Sequence, residues 1–306
     1  MLVDHLRHPF YLCLSFLALS LFLGGCQTAP HRARTTAQKP IHVVASVDFY
    51  GEVASAVLGN HGRVTTLIKS PSVDPHDFDP TPRDATTVSH ANVVLGNGLG
   101  YDTWLDKLAK SSGQRQLKTI HVGEDVRHLK AGVNEHIWYD PQTMPQLATY
   151  LAQQFGRQAP QYKADYQRNA RRYVRRLAPL QRQITRLKAQ SQNKAVAASE
   201  PVFDAALSAL GYRRISDRFE KAVENGTDPA PRDVHALQTA IKQRKIAFFV
   251  NNQQASNKTV AGMVRLAKQS GVPVLNVTET RPKGLTYREW MQRQYRQLAR
   301  IQQQSH

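Results

Sequence analysis

Residues 41–58 read IHVVASVDFYGEVASAVL, and this stretch is the clearest indication of the fold class. Its first part, Ile41–Ser46, is a short apolar run typical of a buried strand, and Phe49–Leu58 follows with helical spacing. Similar strand-like runs recur, with helical patterns between them, at 64–68, 92–95, 117–122, 194–199, 245–250 and 272–277. This alternation predicts an α/β fold with mainly parallel sheets.

The chain length and one long central segment predict two lobes. The 306 residues suit two domains of about 150 residues each. Residues 160–192 have one apolar stripe at helical spacing, formed by Tyr166, Ala170, Tyr173, Leu177, Leu180, Ile184 and Leu187. Pro179 interrupts this stripe and should kink the helix. We therefore predict an N-terminal α/β lobe, one long linking helix and a C-terminal α/β lobe, at 41–159, 160–192 and 193–306.

The composition is that of a globular protein with a strong basic excess. Hydrophobic residues make up 41% of the chain, which excludes wholesale disorder and a collagen-like repeat. Lys and Arg number 41 against 23 acidic residues, a formal charge of +18, and residues 160–192 contain nine of these cations and one acid. The segment is either an anion-binding face or a helix packed across two domains with a solvated basic side. We favour the second, because an exported protein is not expected to meet nucleic acid.

The N-terminal residues predict export. After Arg7, the run Phe10–Leu23 has fourteen residues without a charge. This is shorter than the ~20 residues that a membrane-spanning helix needs, and it is typical of a secretory signal peptide. The run ends in Leu23-Gly24-Gly25-Cys26, which resembles the lipobox of bacterial lipoproteins. The resemblance implies a signal peptide at 1–25, cleavage before Cys26 and a diacylglycerol on its sulfur; an uncleaved anchor with an incidental Cys is the alternative.

The two cysteines restrict the chemistry of the processed protein. Cys13 lies in the predicted signal peptide and Cys26 at the lipobox, so the folded part would have no thiol and no disulfide. Catalysis by Cys and zinc–thiolate sites are therefore excluded, and a metal site must use His, carboxylate or amide oxygen. Residues 26–40 are polar and contain proline, and we interpret them as a flexible tether.

Four potential donor side chains stand near the ends of predicted strands or just before a predicted helix. In parallel sheets, ligand sites collect at the carboxyl edge of the strands. Two of the four come from each half of the chain, where a cleft between two lobes would lie. They are His76, His136, Glu200 and Glu279.

The chain resembles the metal-binding lipoproteins of ABC importers, the cluster A-I solute-binding proteins for zinc and manganese. The resemblance runs from about Ile41 to the C-terminus. Four stretches carry it: DPHDFDPTPRD at 74–84, ANVVLGNGLGYDTWLDKL at 91–108, HIWYDP at 136–141 and SEPVFDAALSALGY at 199–212. The first two are highly specific together, and the resemblance of the C-terminal part is looser. The family resemblance implies two α/β lobes joined by a single long rigid helix, with the metal held between the lobes.

The resemblance also implies the metal ligands. His76 matches the His of the DPH motif, and His136 matches the His of an H-x-W motif. Glu200 matches the third ligand, which is Glu in the manganese-type branch and His in the zinc-type branch. Glu279 stands where the family commonly has the shorter Asp, and Asn251 stands where many members have Glu.

The implied function is capture of a divalent transition-metal ion and its delivery to an ABC permease, without enzymatic activity. Two neutral imidazoles and two carboxylates balance one doubly charged ion, and the carboxylates favour Mn2+ slightly over Zn2+. The resemblance places the protein at the cell membrane, lipid-anchored through Cys26 on the extracytoplasmic face. We expect a monomer that does not bind nucleic acid.

Two other classes of function stay open at this level. A cell-surface zinc metallohydrolase could use the same His and Glu residues, although the chain has no H-E-x-x-H motif. A cell-surface adhesin could bind polyanions through the basic helix, and it would need no metal. Replacing His76 and His136 with Ala distinguishes the two classes, because it should leave polyanion binding by an adhesin unchanged but abolish metal binding by a carrier.

Overall fold

Two four-stranded parallel sheets form the framework of the structure, a computed structural model that describes residues 40–254 and 257–304. The first sheet has the order β2-β1-β3-β4 and the second the order β6-β5-β7-β8, and every strand pairing is parallel. The strands are β1 (Ile41–Val47), β2 (Gly62–Ile68), β3 (Val93–Gly96), β4 (Lys118–His121), β5 (Ala195–Ala198), β6 (Arg213–Arg214), β7 (Phe249–Asn252) and β8 (Val274–Val277). The predicted α/β class with parallel sheets in two lobes is confirmed.

Helices connect and cover these strands. They are α1 (Asp48–Leu58), α2 (Pro82–Val88), α3 (Thr103–Ser111), α4 (Thr143–Gln158), α5 (Lys163–Arg176), α6 (Ala178–Ser191), α7 (Asp204–Leu210), α8 (Asp217–Glu224), α9 (Pro231–Lys242), α10 (Lys258–Gln269) and α11 (Tyr287–Gln304). Short helical turns cover Val122–Val126, Ile137–Tyr139, Pro160–Tyr162 and Pro201–Phe203. All seven residues of β1 are buried, as expected of a central parallel strand with both faces covered. No helix of the described residues is long and apolar enough to cross a membrane.

The segment between the lobes is helical, but it is two helices rather than one. The prediction of a single long helix over 160–192 needs this correction: α5 ends at Arg176 and α6 begins at Ala178. Pro179 lies in the first turn of α6, where its missing N–H is tolerated and the preceding helix cannot continue through it. The break at Leu177 is therefore explained by Pro179, the residue that the sequence predicted would kink the helix.

The two lobes share one hydrophobic core. Phe49 of α1 packs against Trp290 of α11 with ring centroids 5.6 Å apart. The hydroxyl of Tyr139 donates to the carbonyl of Thr278 at 2.6 Å, and that of Tyr287 donates to the carbonyl of Trp138 at 2.7 Å. A smaller apolar cluster lies within the C-terminal half, around Phe249 and other buried residues. The C-terminal helix is thus packed against both lobes, and the lobe limits drawn from sequence stay predictions.

Two elements were missed by sequence reasoning. Strand β6 has only two residues, too few for a periodic signal. Helix α8 was also missed, although Phe219 and Val223 have the i, i+4 spacing of a buried helical face and Gly226 follows its end. This second omission matters because α8 supplies a carboxylate to the cleft described below.

The residues 1–39 lie outside the described residues. The predicted signal peptide, Cys26 and nearly all of the predicted tether therefore stay predictions.

Candidate metal centre

A cleft between the lobes brings the predicted donors together. Its cavity is about 370 Å³ and contains all four sequence-predicted residues in its lining. The N-terminal half supplies His76 and His136, and the C-terminal half supplies Glu200 and Glu279. No Lys or Arg lines this cavity within the part of the chain that the structure describes. The cleft is therefore an acidic, imidazole-containing site in a strongly basic protein.

His76 is positioned by the loop between β2 and α2. Its backbone N–H donates to the Asp74 side chain at 2.9 Å, which closes a tight turn. The indole N–H of buried Trp104 donates to the carbonyl of Pro75 at 2.9 Å and holds the loop against the N-terminal lobe. The loop ends at Thr81, which forms with Asp84 a reciprocal cap at the start of α2. His76 itself stays 34% exposed at the mouth of the cleft.

His136 is held more rigidly, and its tautomer is fixed. It is 3% exposed, and its Nδ1 lies 2.9 Å from Oδ1 of Asn134. The amide of Asn134 is oriented by a second contact, since its Nδ2 donates to the carbonyl of Pro201 at 2.7 Å. An amide oxygen only accepts, so Nδ1 of His136 has the proton and donates it. The lone pair of Nε2 is left for a ligand, as in a metal-binding imidazole.

Glu279 completes a three-residue group with the two histidines. Its Oε1 lies 3.9 Å from Nε2 of His76 and 4.0 Å from Nε2 of His136. Two donors that each lie about 2.1 Å from one ion cannot be more than about 4.2 Å apart, so both pairs can share one ion. One donor atom from each of the three residues lies within 4.8 Å of the others. Residues from both lobes therefore converge on one point.

The position of Glu279 is set by contacts from both lobes. The hydroxyl of Tyr101, in the N-terminal lobe, donates to Oε1 of Glu279 at 3.1 Å. The preceding residue, Thr278, accepts a hydrogen bond from the indole of Trp290 at 2.8 Å. Glu is one methylene longer than the Asp common at this place, and Tyr101 restricts the extra freedom of that side chain.

Glu200 lines the same cavity but is not brought into the three-residue group. It follows β5 directly, is 9% exposed, and accepts a hydrogen bond from Nδ2 of Asn252 at 2.8 Å. Asn251, which stands where the family often has Glu, does not line the cavity and instead donates to Asn276 at 3.0 Å. The neighbouring residue Asn252 therefore makes the polar contact on this wall.

Sequence reasoning missed two carboxylates next to His136. Glu224, the last residue of α8, lines the cavity, and its Oε1 lies 3.6 Å from Nδ1 of His136. Glu135 has a carboxylate oxygen 3.9 Å from Nε2 of His76. Glu135, His136 and Glu224 form a second group whose donor atoms lie within 4.8 Å of one another. The pair Glu135-His136 was visible in the sequence, but the approach of Glu224 depends on the missed helix.

Burial and crowding shift the pKa values of these groups. Burial, with nearby Asp74 as the next cause, raises the pKa of Glu279 to about 8. Burial and the neighbouring Glu135 raise the pKa of Glu224 to about 8. Burial and nearby His76 lower the pKa of His136 to about 3, so this imidazole is neutral at physiological pH. A bound dication would supply the positive charge that lets these carboxylates ionise together.

Two parallel α/β lobes around a cleft lined by histidines and carboxylates define a solute-binding protein of the metal-binding type. Residues 43–301 match the model of the family described as ZnuA, zinc-uptake complex component A, periplasmic. Because this match covers most of the chain, the protein belongs to that family. Its description is that of an uptake component rather than of an enzyme.

Curated relatives align over nearly their full length at low identity. The iron-binding protein YfeA of Yersinia pestis is 22% identical over 88% of each chain. The zinc uptake protein ZnuA of Bacillus subtilis is 22% identical over 81% of this chain and 83% of its own. The manganese-binding lipoprotein MntA of Halalkalibacterium halodurans is 23% identical over 89% of this chain and 90% of its own. Three relatives with 22–23% identity are thus named for three different metals.

Solved structures share the fold. FpvC of Pseudomonas aeruginosa in complex with Mn2+ aligns with a TM-score of 0.71 and 21% identity, covering 88% of this chain and 100% of that one. A manganese-bound mutant of a periplasmic metal-binding protein from Candidatus Liberibacter asiaticus aligns with a TM-score of 0.71 and 16% identity, covering 85% and 99%. The two-lobed architecture is therefore shared at low sequence identity.

Proposed function

We propose that the protein captures a divalent transition-metal ion in the cleft and delivers it to an ABC permease. The observation that supports this most directly is the approach of two imidazole nitrogens, from His76 and His136, to one oxygen of Glu279 at 3.9 and 4.0 Å. Since the donors come from both lobes, one ion would bridge the cleft. Carriage needs no covalent chemistry, and protein donors can occupy the coordination positions that a catalytic metal leaves open for water.

The proposed ligands are His76, His136, Glu200 and Glu279. His76, His136 and Glu279 need only small movements to share one ion, because each imidazole nitrogen already lies close enough to the Glu279 oxygen for both atoms to contact the same ion. Glu200 would join by exchanging its hydrogen bond from Asn252 for the metal. Each imidazole would bind the ion through Nε2, and each carboxylate would bind it through an oxygen, which is a harder donor than an imidazole nitrogen.

The preferred cargo is Mn2+, with Zn2+ next. Three glutamates and Asp74 line the cleft with two imidazoles, and the carboxylate of Glu135 lies 3.9 Å from His76. Carboxylate oxygens suit harder ions such as Mn2+. The general affinity order of divalent metals places Zn2+ above Mn2+, so loading with Mn2+ depends on cavity geometry and metal supply. The names of the relatives include zinc, iron and manganese and do not distinguish among them.

Direct metal titration tests the site. We expect metal-free protein to bind one equivalent of Mn2+ or Zn2+ in calorimetry, and His136→Ala to lower the affinity by at least about a hundredfold, since it removes a ligand. His121→Ala is the matched control, because His121 contacts Asp106 at 2.7 Å and lies outside the cleft lining. Equal affinity in the two variants would disprove the site.

The identity of the cargo needs a separate measurement. Protein is purified from cells grown with defined equal supplies of Mn2+ and Zn2+, and its metal is measured by elemental analysis and anomalous scattering. We expect one bound ion in the cleft, predominantly Mn2+. Anomalous density away from His76, His136 and Glu279 would refute the proposed binding function, whereas zinc in the cleft would refute only the metal preference.

We also propose that the protein is held at the extracytoplasmic face of the membrane by a lipid on Cys26. The lipobox-like sequence at 23–26 supports this, and relatives named lipoproteins include MntA and the metal ABC transporter substrate-binding lipoprotein SloC of Streptococcus mutans. A lipid anchor would raise the effective concentration of the carrier beside its permease. Mass spectrometry of the membrane fraction should show a diacylglyceryl group on Cys26, and Cys26→Ala should release the protein.

A further inference from the structure

The basic charge of the protein is concentrated in three helices. Residues 40–306 contain 37 Lys and Arg and 22 Asp and Glu, a formal charge of +15. Helices α5, α6 and α11 together contain thirteen of these cations and only two acids, Asp165 and Glu289, a formal charge of +11. Most of the charge excess therefore belongs to a small part of the fold, whose exposed cations we call the basic surface.

A groove between α6 and α11 gives this surface a defined shape. It has a volume of about 590 Å³ and is lined by Arg182, Arg186 and Arg296 together with four glutamine side chains. All three arginines are exposed, and the apolar residues of the lining include Leu187. No acidic residue of the described chain lines the groove. The polar side chains of the groove are therefore either positively charged guanidinium groups or neutral amides.

A second depression repeats this chemistry on α5. It measures about 550 Å³ and is lined by Arg171 and Arg175 with Gln153 and Gln167, again without an acid among the described residues. Of the thirteen cations of the three helices, only Arg168 forms an ion pair with a carboxylate within the part of the chain that the structure describes, and its partner is Asp165. The remaining charges repel one another at short range, and an external anionic surface would remove that cost.

The basic surface and the metal cleft are separate. The cleft is lined by acids and histidines with no Lys or Arg of the described residues, and its lining shares no residue with either basic depression. A partner seated on α6 and α11 would therefore not contact the proposed metal ligands. Charge segregation of this kind orients a protein in the field of a charged surface.

We propose that the basic surface docks on an anionic phospholipid bilayer. This inference rests on the lipid anchor proposed above: the fourteen residues 27–40 between Cys26 and the folded part can span at most about 50 Å, so the folded part would stay within that distance of the bilayer. Bidentate arginines suit phosphate groups, and cationic side chains bind anionic headgroups. A bilayer presents such groups over an area larger than either depression. Docking would hold the carrier in one orientation at the membrane.

Vesicle binding by the full chain tests the proposal. Affinity is measured for vesicles of phosphatidylcholine alone and for vesicles with a third phosphatidylglycerol, so that binding through the apolar run at 10–23 is common to both. We expect tighter binding to the anionic vesicles than to the neutral ones. This difference should disappear at 1 M salt, where interactions between charges more than about 3 Å apart are largely screened. In the triple variant Arg182→Gln, Arg186→Gln and Arg296→Gln, the preference should fall by about a hundredfold, since each cation contributes about fivefold.

A charge-matched variant is the control. Arg83→Gln, Arg115→Gln and Arg265→Gln remove the same charge from exposed positions outside the three helices, and should keep the preference for anionic vesicles. Equal losses in the two variants, or equal binding to neutral and anionic vesicles, would overturn the proposal. A duplex DNA that binds more tightly than the vesicles and is lost with the same three arginines would also overturn it. Metal affinity should be the same in both variants, and the state of Cys26 is read independently by mass spectrometry.

Discussion

At the scale of single residues, Asn134 determines which nitrogen of His136 faces the cleft. Its amide accepts from Nδ1 at 2.9 Å and donates across the lobe boundary to Pro201 at 2.7 Å. A partner that orients a ligating imidazole typically contributes ten- to a hundredfold to metal affinity. The residue is therefore a positioning residue rather than a ligand.

We expect Asn134→Ala to lower metal affinity by about ten- to a hundredfold while leaving the stoichiometry at one. The imidazole could then choose either tautomer and rotate. Isothermal titration with Mn2+ measures the change, and Asn251→Ala is the control, because Asn251 pairs with Asn276 away from the cleft. An unchanged affinity for Asn134→Ala would show that the hydrogen bond does not orient the ligand.

Glu224 is the residue whose role in the cleft only the structure indicates. Its Oε1 is buried without a hydrogen-bond partner among the described residues and lies 3.6 Å from the imidazole of His136. A buried carboxylate in this state is stabilised by a nearby cation. We expect Glu224→Gln to weaken Mn2+ binding more than Zn2+ binding, because the harder ion depends more on carboxylates. Competition between the two metals measures the ratio, and an unchanged ratio would argue against a role in metal selection.

At the scale of elements, helix α8 depends on a protonated acid. Glu220 is fully buried and accepts a hydrogen bond from Ser216. Burial and nearby Asp204 raise its pKa to about 8 from an ordinary value of 4.5. Between these two pH values the folded protein binds a proton that the unfolded chain has released. The free energy of unfolding should therefore fall as pH rises through this window.

Replacing Glu220 with Gln tests this pH dependence. The amide keeps the shape of the protonated acid and does not titrate, so the fall in the free energy of unfolding between pH 5 and 8 should become smaller. Urea unfolding at several pH values measures it. Glu289→Gln is the control, because Glu289 is only partly buried and hydrogen bonds from Thr286 lower its pKa. The same slope in both variants would contradict the assignment to Glu220.

The cap of α2 links a local motif to the metal site. Thr81 and Asp84 satisfy each other's backbone donors, and the cap closes the loop that contains His76. Thr81→Ala should lower the free energy of unfolding by about 1 kcal/mol. Thr149→Ala, at an exposed position within α4, should have a smaller effect. Chemical denaturation compares the two, and equal losses would show that the cap adds nothing beyond an ordinary surface threonine.

At the scale of the whole molecule, the lobes are joined by apolar packing as well as by the linking helices. Phe49 and Trp290 pack across the boundary, and Arg281 pairs with Asp48 at 2.6 Å and with Glu52 at 3.0 Å. Lobes with a small polar interface move freely, whereas a shared apolar core resists hinge motion. Metal binding should therefore shift side chains and loops at the cleft more than the lobes themselves.

Small-angle scattering with and without Mn2+ measures this rigidity. We expect the radius of gyration to change by less than about 1 Å, the scale of backbone change in pre-organised partners. The double variant Phe49→Ala and Trp290→Ala opens the shared core and should show a larger change on metal binding. A decrease of several ångströms in the original protein would show that the lobes close as rigid bodies.

The sequence by itself determined the α/β class, the parallel strands and an interruption of the linking helix by Pro179, because these depend on periodicity and on local motifs. It also pointed to His76, His136, Glu200 and Glu279, which stand near strand ends or before a helix and which the family resemblance implies as ligands. The tertiary structure decided which donors approach one another: it placed Glu279 within 4.0 Å of both histidines and left Glu200 bonded to Asn252. It also brought in Glu224, 88 positions along the chain from His136. Local patterns fix where strands end, but distances between such ends depend on how two lobes pack, and that is a property of the whole core.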